Sequence, residues 1–383
     1  MRFGSKRPFF WAIGAAMVCL LGVASVRAQA PAPAENPGDG PQTTDTLFKN
    51  ILVLKGMRVD SFFDAMGMFA ASMGDDCTYC HVKSAMLNRA DFATATPRIQ
   101  RARQMIVMMQ ALNKQYFAGA PKVTCFTCHR GAYTPENSPR FTLQYGSPED
   151  NPNIMDFIAD TRTTADQILD KYLQALGGPG ALAKITSFTA KGTYAGFDTG
   201  DKEIPVEIFA KAPNQRTWTI QTLDGPSHRV FDGTNGWWAG PDAPAPIEVL
   251  SSGNLDRARL EALVAFPGSI KQSHTTWKVG RASIDDKDVT IVQGKRDGLL
   301  PVNFYFDNAT SLLVRIVRWN ETPVGPVPTQ IEYSDYRDVA GVKMPFSWVM
   351  TQTYMQATIN VTDVQPNVAI PAIRFNRPAP VPH

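Results

Sequence analysis

The sequence predicts an α+β protein with a mainly helical N-terminal domain and a C-terminal antiparallel β half-barrel with helices. Before residue 120, apolar residues recur at intervals of three and four, a spacing typical of amphipathic helices. After residue 187, short runs of alternating apolar and polar residues are separated by Gly, Pro, Asn and Asp, as in antiparallel sheets. With 383 residues and 44% hydrophobic content, the chain is long enough for two domains.

The N-terminus has the features of a secretory signal peptide over residues 1–28. Basic residues precede an uncharged apolar run at 9–26, and the small residues Ala28 and Ala30 stand at cleavage spacing. We expect cleavage after Ala28, because cleavage after Ala30 would leave Pro31 at the new terminus. The protein is therefore predicted to be exported to the periplasm. An uncleaved membrane anchor is the alternative, since the apolar run is nearly long enough to span a bilayer.

The charge balance argues against a nucleic-acid partner. Removal of residues 1–28 takes away four basic residues and leaves 34 Lys and Arg against 35 Asp and Glu. A near-neutral chain lacks the basic surface with which proteins bind phosphate backbones.

Composition divides the exported chain into four parts. Residues 29–46 are rich in Ala, Pro, Gly and Thr and are predicted to be a flexible leader. Residues 47–146 carry the helical periodicity, with one helix at Val59–Met73 and a second at about 97–117. Residues 147–162, rich in Pro, Asp and Asn, are predicted to be a linker. Residues 163–378 form the β-rich domain.

A pentapeptide that occurs twice is the most informative feature of the chain. Cys-Thr-Tyr-Cys-His at 77–81 and Cys-Phe-Thr-Cys-His at 125–129 each follow a predicted helix. C-x-x-C-H is the attachment signature of c-type haem, in which two thiols bind the vinyl groups and the His binds iron. The predicted attachment residues are Cys77, Cys80, Cys125 and Cys128, and the predicted iron ligands are His81 and His129. A four-cysteine zinc site is the main alternative, but it leaves the two histidines unexplained.

Methionines are concentrated around these motifs. Eight of the 14 lie between Met57 and Met109, and the segment has no histidine besides His81 and His129. A low-spin electron-transfer haem needs a sixth ligand, and a thioether opposite His raises the reduction potential. Methionine at helical spacing also fills hydrophobic cores. The group is therefore expected to contain two ligands, although the spacing alone does not identify them.

Three stretches, at 73–82, 102–113 and 123–131, resemble the cytochrome c subunit of photosynthetic reaction centres. They include both motifs, the helix between them and the His-Arg-Gly that ends the third stretch. The resemblance implies that the helix before each motif supplies an axial methionine. Met66 matches the first ligand, and Met105 in the run Ala-Arg-Gln-Met matches the second, with Met108 as the alternative. Met73 and Met109 are further candidates.

The reaction-centre family typically carries four attachment motifs, whereas this chain has two. The resemblance therefore implies a two-haem module joined to another domain. The expected function is a periplasmic dihaem c-type cytochrome that transfers electrons between a redox protein donor and acceptor. We do not expect an enzyme, because a six-coordinate iron has no position for substrate. The alternatives are a dihaem peroxidase-like enzyme, which needs an open sixth position, and a lipid- or lipoprotein-binding module with haem as redox sensor.

The C-terminal domain is predicted to begin with a helix at 163–176 and to contain a second helix at 255–264. Eleven strands are predicted around them. Because the strands are many and the helices few, a strongly curved sheet wrapped on the helices is expected. The predicted strands lie at 188–197, 206–210, 216–222, 229–231, 276–282, 289–294, 302–306, 312–319, 330–336, 346–351 and 357–364.

Three runs in this domain, at 171–178, 231–237 and 341–346, resemble the periplasmic lipoprotein carriers LolA and LolB. The resemblance implies a half-barrel that holds acyl chains or other apolar ligands, so a lipid or lipoprotein is an expected partner and membrane association stays open. No pair of nucleophile and base occurs at a mechanistic spacing. His228, His274 and His383 are expected at the surface or in turns.

Overall fold

The computed structural model describes residues 42–135, 137–138 and 154–381. The predicted signal peptide and most of the leader lie outside these ranges, as does His383. Within the described ranges, no helix combines the length and the hydrophobicity needed to cross a bilayer.

The helices predicted in the N-terminal segment are present. The helix α2 ends where Gly74 adopts a left-handed conformation with a φ of 67°. The helix α3 begins at the N-cap Thr96, whose hydroxyl accepts a hydrogen bond from the backbone of Ile99, and Pro97 takes the first helical position. The helices of the described chain are α1 Thr44–Leu47, α2 Val59–Met73, α3 Pro97–Tyr116, α4 Cys125–His129, α5 Ala165–Ala175, α6 Pro179–Leu182 and α7 Ser252–Ala265.

Thirteen strands form one antiparallel sheet, which confirms the predicted α+β class. Consecutive strands are paired except β6 and β7, which lie at opposite edges of the sheet. At the centre, β1 pairs with β13 and joins the two halves, in the order β6 to β1 and then β13 to β7. The strands are β1 Ser187–Gly196, β2 Ile204–Lys211, β3 Gln215–Thr222, β4 Gly225–Phe231, β5 Gly236–Ala239, β6 Glu248–Val249, β7 Thr276–Ile284, β8 Lys287–Lys295, β9 Val302–Asp307, β10 Leu313–Thr322, β11 Gly325–Val339, β12 Val342–Gln352 and β13 Gln356–Pro366.

The main hydrophobic core lies between the inner face of this sheet and the helices α5 and α7. Leu169 and Tyr172 of α5 and Leu260 of α7 are almost fully buried in one cluster with residues from β1–β3 and β8–β13. Strands from both halves of the sheet thus contact the same two helices, which is the wrapping expected of a half-barrel.

Two short strands, β5 and β6, and the first turn of α7 are absent from the predictions. β6 has only two residues, too few for an alternating pattern. The first turn of α7 lacks apolar periodicity because the buried residues Gly253 and Asn254 contact polar groups elsewhere. Periodicity detects apolar faces, so both elements escape it.

The described part of the predicted linker lies against the outer face of the sheet. The backbone carbonyls of Ile154 and Met155 accept hydrogen bonds from Asn303 and Gln293 at 2.9 and 2.7 Å. The ring of Phe157 covers Gly280, at which a β-carbon would collide with it. This stretch therefore helps to bury the second apolar cluster, on the outer face.

The helix α2 contacts the half-barrel through buried carboxylates. Asp60 accepts hydrogen bonds from the backbone and hydroxyl of Ser251, which is the N-cap of α7, at 2.7 and 2.8 Å. Asp64 accepts from the side-chain amides of Asn254 and Asn320 at 3.2 and 2.5 Å. Negative charge is favourable at a helix N-terminus, so these contacts complement the dipole of α7.

Candidate functional site

The first C-x-x-C-H motif forms a 3₁₀ turn directly after α2. The carboxylate of Asp76 caps it by accepting a hydrogen bond from the backbone of Thr78 at 2.7 Å. The carbonyl of Cys80 accepts a hydrogen bond from the hydroxyl of Thr96, the N-cap of α3, at 2.6 Å. The motif is thereby fixed between the end of one helix and the start of the next.

The second motif is the helix α4. Its N-cap Thr124 exchanges hydrogen bonds with Thr127 in a capping box. Just before it, the side-chain amide of Asn113 in α3 both donates to and accepts from the backbone of Val123, at 2.7 and 2.9 Å. The helix stops at Arg130, which is left-handed with a φ of 51°. The Asn113 contact ties the start of this motif to α3.

The two motif histidines are held in the same way. Nδ1 of His81 lies 3.1 Å from the carbonyl oxygen of Phe92, and Nδ1 of His129 lies 3.0 Å from that of Ala132. A carbonyl can only accept, so each Nδ1 must carry the proton and donate it. Nε2 then keeps a free lone pair, which is the arrangement of a metal-ligating histidine.

The structure brings the two motifs close together. The ring of Tyr79, within the first motif, stacks on that of Tyr133, just after the second, with centroids 4.6 Å apart and planes 3° apart. The Tyr133 hydroxyl donates to Asp75, and the Arg98 guanidinium lies 4.1 Å from the Tyr79 centroid. A β-carbon at Gly74 would collide with the carbonyl of Gly131, so this close approach requires glycine.

The methionines of this segment differ in how deeply they are buried. Met57, Met68 and Met109 are buried in a small apolar cluster and act there as core residues. Met66 and Met105 are partly buried, as is Met73, whereas Met108 is 47% exposed. A buried core position argues against Met109 as a ligand. The assignment of Met66 and Met105 as axial ligands stays a prediction.

None of the four motif cysteines forms a disulfide. Burial raises the pKa of the Cys125 thiol to about 11, and it also raises the pKa values of Cys77 and Cys80. The thiols of these three cysteines are thus uncharged at neutral pH. Among the described side chains, no group of three or more His, Cys, Asp or Glu is placed to hold a metal ion.

The apolar surface of the N-terminal segment fits a large apolar cofactor. Most of the large apolar side chains that the described chain exposes belong to this segment, and exposed apolar surface often marks a binding site. A haem at each motif would cover part of it, so the residues present fit the group. Of the sixteen large hydrophobic residues exposed in the described chain, eleven lie between residues 52 and 133: Leu52, Phe63, Met86, Leu87, Phe92, Val107, Met108, Tyr116, Phe117, Phe126 and Tyr133.

The half-barrel contains a mainly apolar cavity of about 80 Å³ between the sheet and the helices α5 and α7. Its lining includes Tyr172, Val264, Phe188, Ile208 and Tyr333. The cavity borders the C-terminal end of α7, whereas the helix α2 meets the N-terminal end of α7.

One histidine lies elsewhere than expected. His274 is buried, with its ring 4.9 Å from Trp277 and 5.5 Å from Phe304, so the prediction of a surface or turn position was wrong. Burial lowers its pKa to about 3. His228 is partly buried, and its Nδ1 lies 3.0 Å from the hydroxyl of Thr219. Burial of His274 depends on aromatic neighbours from the folded sheet, and the local sequence gave no signal of it.

The N-terminal part of the chain matches a known family. Residues 19–166 match the family described as photosynthetic reaction centre cytochrome C subunit, which confirms the first resemblance and covers both motifs. A photosynthetic reaction center cytochrome c subunit from Rubrivivax gelatinosus is 31% identical over 112 residues. That alignment covers 27% of this chain and 29% of the relative, so the chain spans less than a third of the length of that relative.

Solved structures resemble the C-terminal part at low sequence identity. A LolA superfamily protein from Nitrosomonas europaea has a TM-score of 0.39 and 14% identity, covering 56% of this chain and 98% of that one. A DUF1329 family protein from Desulfovibrio piger has a TM-score of 0.38 and 11% identity, over 55% and 96% of the two chains.

Proposed function

We propose that this protein is a periplasmic dihaem c-type cytochrome that transfers electrons between protein partners. Cys77 and Cys80 hold one haem and Cys125 and Cys128 the other. When bound, haem supplies an iron that accepts and releases one electron at a time. The cytochrome family match supports covalent haem, while the number of haems, the electron transfer and the location are proposals.

The observation that carries this proposal is the state of the two motif histidines. His81 and His129 each donate Nδ1–H to a backbone carbonyl and leave Nε2 free beside two thiols. Met66 and Met105 are proposed to bind on the opposite side. The carbonyl bonds fix the orientation of each imidazole, and they raise the basicity of the ligating nitrogen.

Haem stoichiometry tests the central claim. Protein matured in a periplasm should contain two haems per chain by pyridine haemochrome assay and by intact mass. Replacement of Cys77 and Cys80 by Ser should leave one haem, and so should the matched replacement of Cys125 and Cys128. A single haem in the unaltered chain, or zinc in its place, would refute the proposal. N-terminal sequencing tests export, because cleavage after Ala28 leaves Gln29 first.

The half-barrel is proposed to hold an apolar ligand, lipid or lipoprotein acyl chain in its cavity. The cavity supports this proposal because it is lined by aliphatic and aromatic side chains from both helices and the sheet. Val264→Trp should fill it and remove co-purifying lipid, as measured by native mass spectrometry of the full chain. Lipid carried equally by the wild type and this variant would place it elsewhere.

A further inference from the structure

A second, smaller cavity lies beside the apolar one and has a different chemistry. It is lined by three arginines, Arg216, Arg229 and Arg257, together with Trp218 and Trp238. Arg216, Trp218 and Glu261 line both cavities. The two cavities are therefore adjacent on the inner face of the sheet, and one is mainly apolar while the other is lined by arginines.

Strand register builds the cationic end. Trp218, Arg229, Trp238 and Glu248 stand opposite one another on β3, β4, β5 and β6. The guanidinium of Arg229 lies 4.9 Å from the Trp218 ring and 4.5 Å from the Trp238 ring. The two tryptophans hold this arginine in place by cation–π contact, which satisfies none of its N–H donors.

Two of the arginines are buried without adequate partners. Arg229 and Arg257 are each only 9% exposed. Within the described chain, the side chain of Arg229 makes no hydrogen bond and no ion pair, and its Nε is buried without an acceptor. Arg257 has one ion-pair contact, 3.8 Å from Glu261, and Glu261 also binds Arg216. Burying a guanidinium without hydrogen-bond acceptors costs free energy of folding. A bound group with acceptor atoms would reduce this cost, because the described chain does not supply them.

The nearby carboxylates do not fill this role. Glu261 is shared by Arg216 and Arg257. Asp198 accepts a hydrogen bond from the hydroxyl of Tyr194 at 2.9 Å. Glu248 is buried, and burial raises its pKa to about 8, so it is mostly uncharged at neutral pH. Asp242 also interacts with the charge of Arg229, but neither Asp242 nor Asp198 lines this cavity. The lining itself has three arginines and one carboxylate, that of Glu261.

We infer that Arg229 and Arg257 bind the anionic head of an amphiphile whose apolar chain occupies the adjoining cavity. This inference rests on the proposed apolar-ligand function and specifies the ligand class: a single apolar chain that ends in a carboxylate or phosphate. Charge-assisted hydrogen bonds from a guanidinium to such a head are the strong kind. The indole faces of Trp218 and Trp238 position the Arg229 guanidinium, and the head supplies the acceptor that it lacks.

Chain-matched probes test the inference on the full haem-loaded protein after removal of lipid. Equilibrium dialysis with radiolabelled oleate and oleyl alcohol compares an anionic and an uncharged head on the same chain. We expect oleate to bind at least about tenfold more tightly at neutral pH. Arg229→Gln and Arg257→Gln should each weaken oleate by about tenfold and leave oleyl alcohol unchanged. Arg259→Gln, on α7 but outside both cavities, is the control and should change neither.

The outcomes separate this inference from the proposed function. Equal binding of the two probes by the wild type would overturn the anionic head while leaving the apolar ligand intact. No binding of either probe would overturn both. An equal loss in the Arg259 variant would also contradict the arginine site. If the Arg229 variant does not fold, the head-group preference of the wild type and the Arg257 variant decide.

Discussion

The N-terminal segment and the half-barrel bury their apolar residues to very different degrees. The twenty-residue helix α3 buries only Ile106, Met109 and Asn113. The small apolar cluster that contains Met109 also includes Val324 and Val327 from the sheet region. The half-barrel instead has a single large cluster that draws on most of its strands. The half-barrel therefore has a complete core of its own, whereas the N-terminal segment depends on groups that lie outside it.

The N-terminal segment would obtain that support from two sources. One is the cofactor, which would cover exposed residues such as Phe92 and Phe126. The other is the half-barrel, which α2 contacts through Asp60 and Asp64. The helix α2 is therefore anchored independently of haem. Among the described residues, α3 and α4 make no such buried polar contact and pack on Val324 and Val327 only through apolar groups such as Met109. The following predictions test this difference.

The largest effect should come from removing haem altogether. In a chain with all four motif cysteines changed to Ser, amides of α3 and α4 should exchange hydrogen nearly as fast as in an unfolded chain. Strands β8–β12 should keep their protection, because their core includes no cofactor. Hydrogen exchange with mass spectrometry measures both in one sample. Loss of protection throughout the chain would show that the two regions form one folding unit.

Isolated fragments test the same difference between the two regions, and they also test the predicted domain boundary. A fragment that starts near Thr161 should be colourless, folded and β-rich by circular dichroism. A fragment that ends near residue 146 should carry both haems. An insoluble C-terminal fragment would mean that the contacts of Asp60 and Asp64 are essential to the half-barrel.

Substitution of either proposed axial methionine should alter one haem and leave the other unchanged. Met66→Ala should convert one haem to high spin or to a replacement ligand and lower its potential, because the thioether preference for ferrous iron is lost. Met105→Ala should do the same at the other haem. Absorption spectra and redox titration measure the effect. Each variant should lose about half of the near-infrared band of sulfur ligation, because the other haem keeps its ligand. If both variants keep the band at full intensity, the assignment is wrong and Met73 and Met108 are the next residues to test.

Met109→Ala is the matched control on α3. It removes a buried core residue, so we expect a loss of about 2–5 kcal/mol in the free energy of unfolding with both haem spectra unchanged. Chemical denaturation measures the loss. A changed spin state in this variant would reverse the assignment of core and ligand methionines.

Much of this architecture could be predicted from local sequence. Periodicity placed α2 at Val59–Met73 and nearly all of α3, and the motifs identified the candidate attachment residues directly. The contacts between the regions could not be predicted in this way. Asp60 binds Ser251, which is 191 positions away, and a polar residue gives no periodic signal of its partner. The arrangement of Trp218, Arg229 and Trp238 depends on strand register, which local patterns do not fix.

Asp64→Ala tests the anchor between the two regions. It leaves the amides of Asn254 and Asn320 without an acceptor in a buried site, so we expect a loss of about 1–3 kcal/mol in the free energy of unfolding. Asp64→Asn keeps one oxygen acceptor and should lose less. Thermal melts of the Ala variant, followed by haem absorbance and by circular dichroism, should separate into two transitions. Coincident transitions in that variant would show that this contact does not join the regions.

Glu248→Gln should change how the free energy of unfolding depends on pH, and it should have little effect on that free energy at acidic pH. Burial raises the pKa of Glu248 from 4.5 to about 8, so between these values the folded state holds a proton that the unfolded state has lost. The free energy of unfolding therefore falls as pH rises through this window, by at most about 1.4 kcal/mol per pH unit for one proton. The Gln variant cannot titrate and should gain stability relative to the wild type between about pH 5 and pH 9.

Thermal unfolding across this range measures the difference, with the exposed Glu203→Gln as reference for the rest of the chain. Parallel profiles for the wild type and the Glu248→Gln variant would mean that Glu248 is ionised in the folded protein. The arginine cavity would then already contain a counter-charge, and the need for an anionic ligand would be correspondingly weaker.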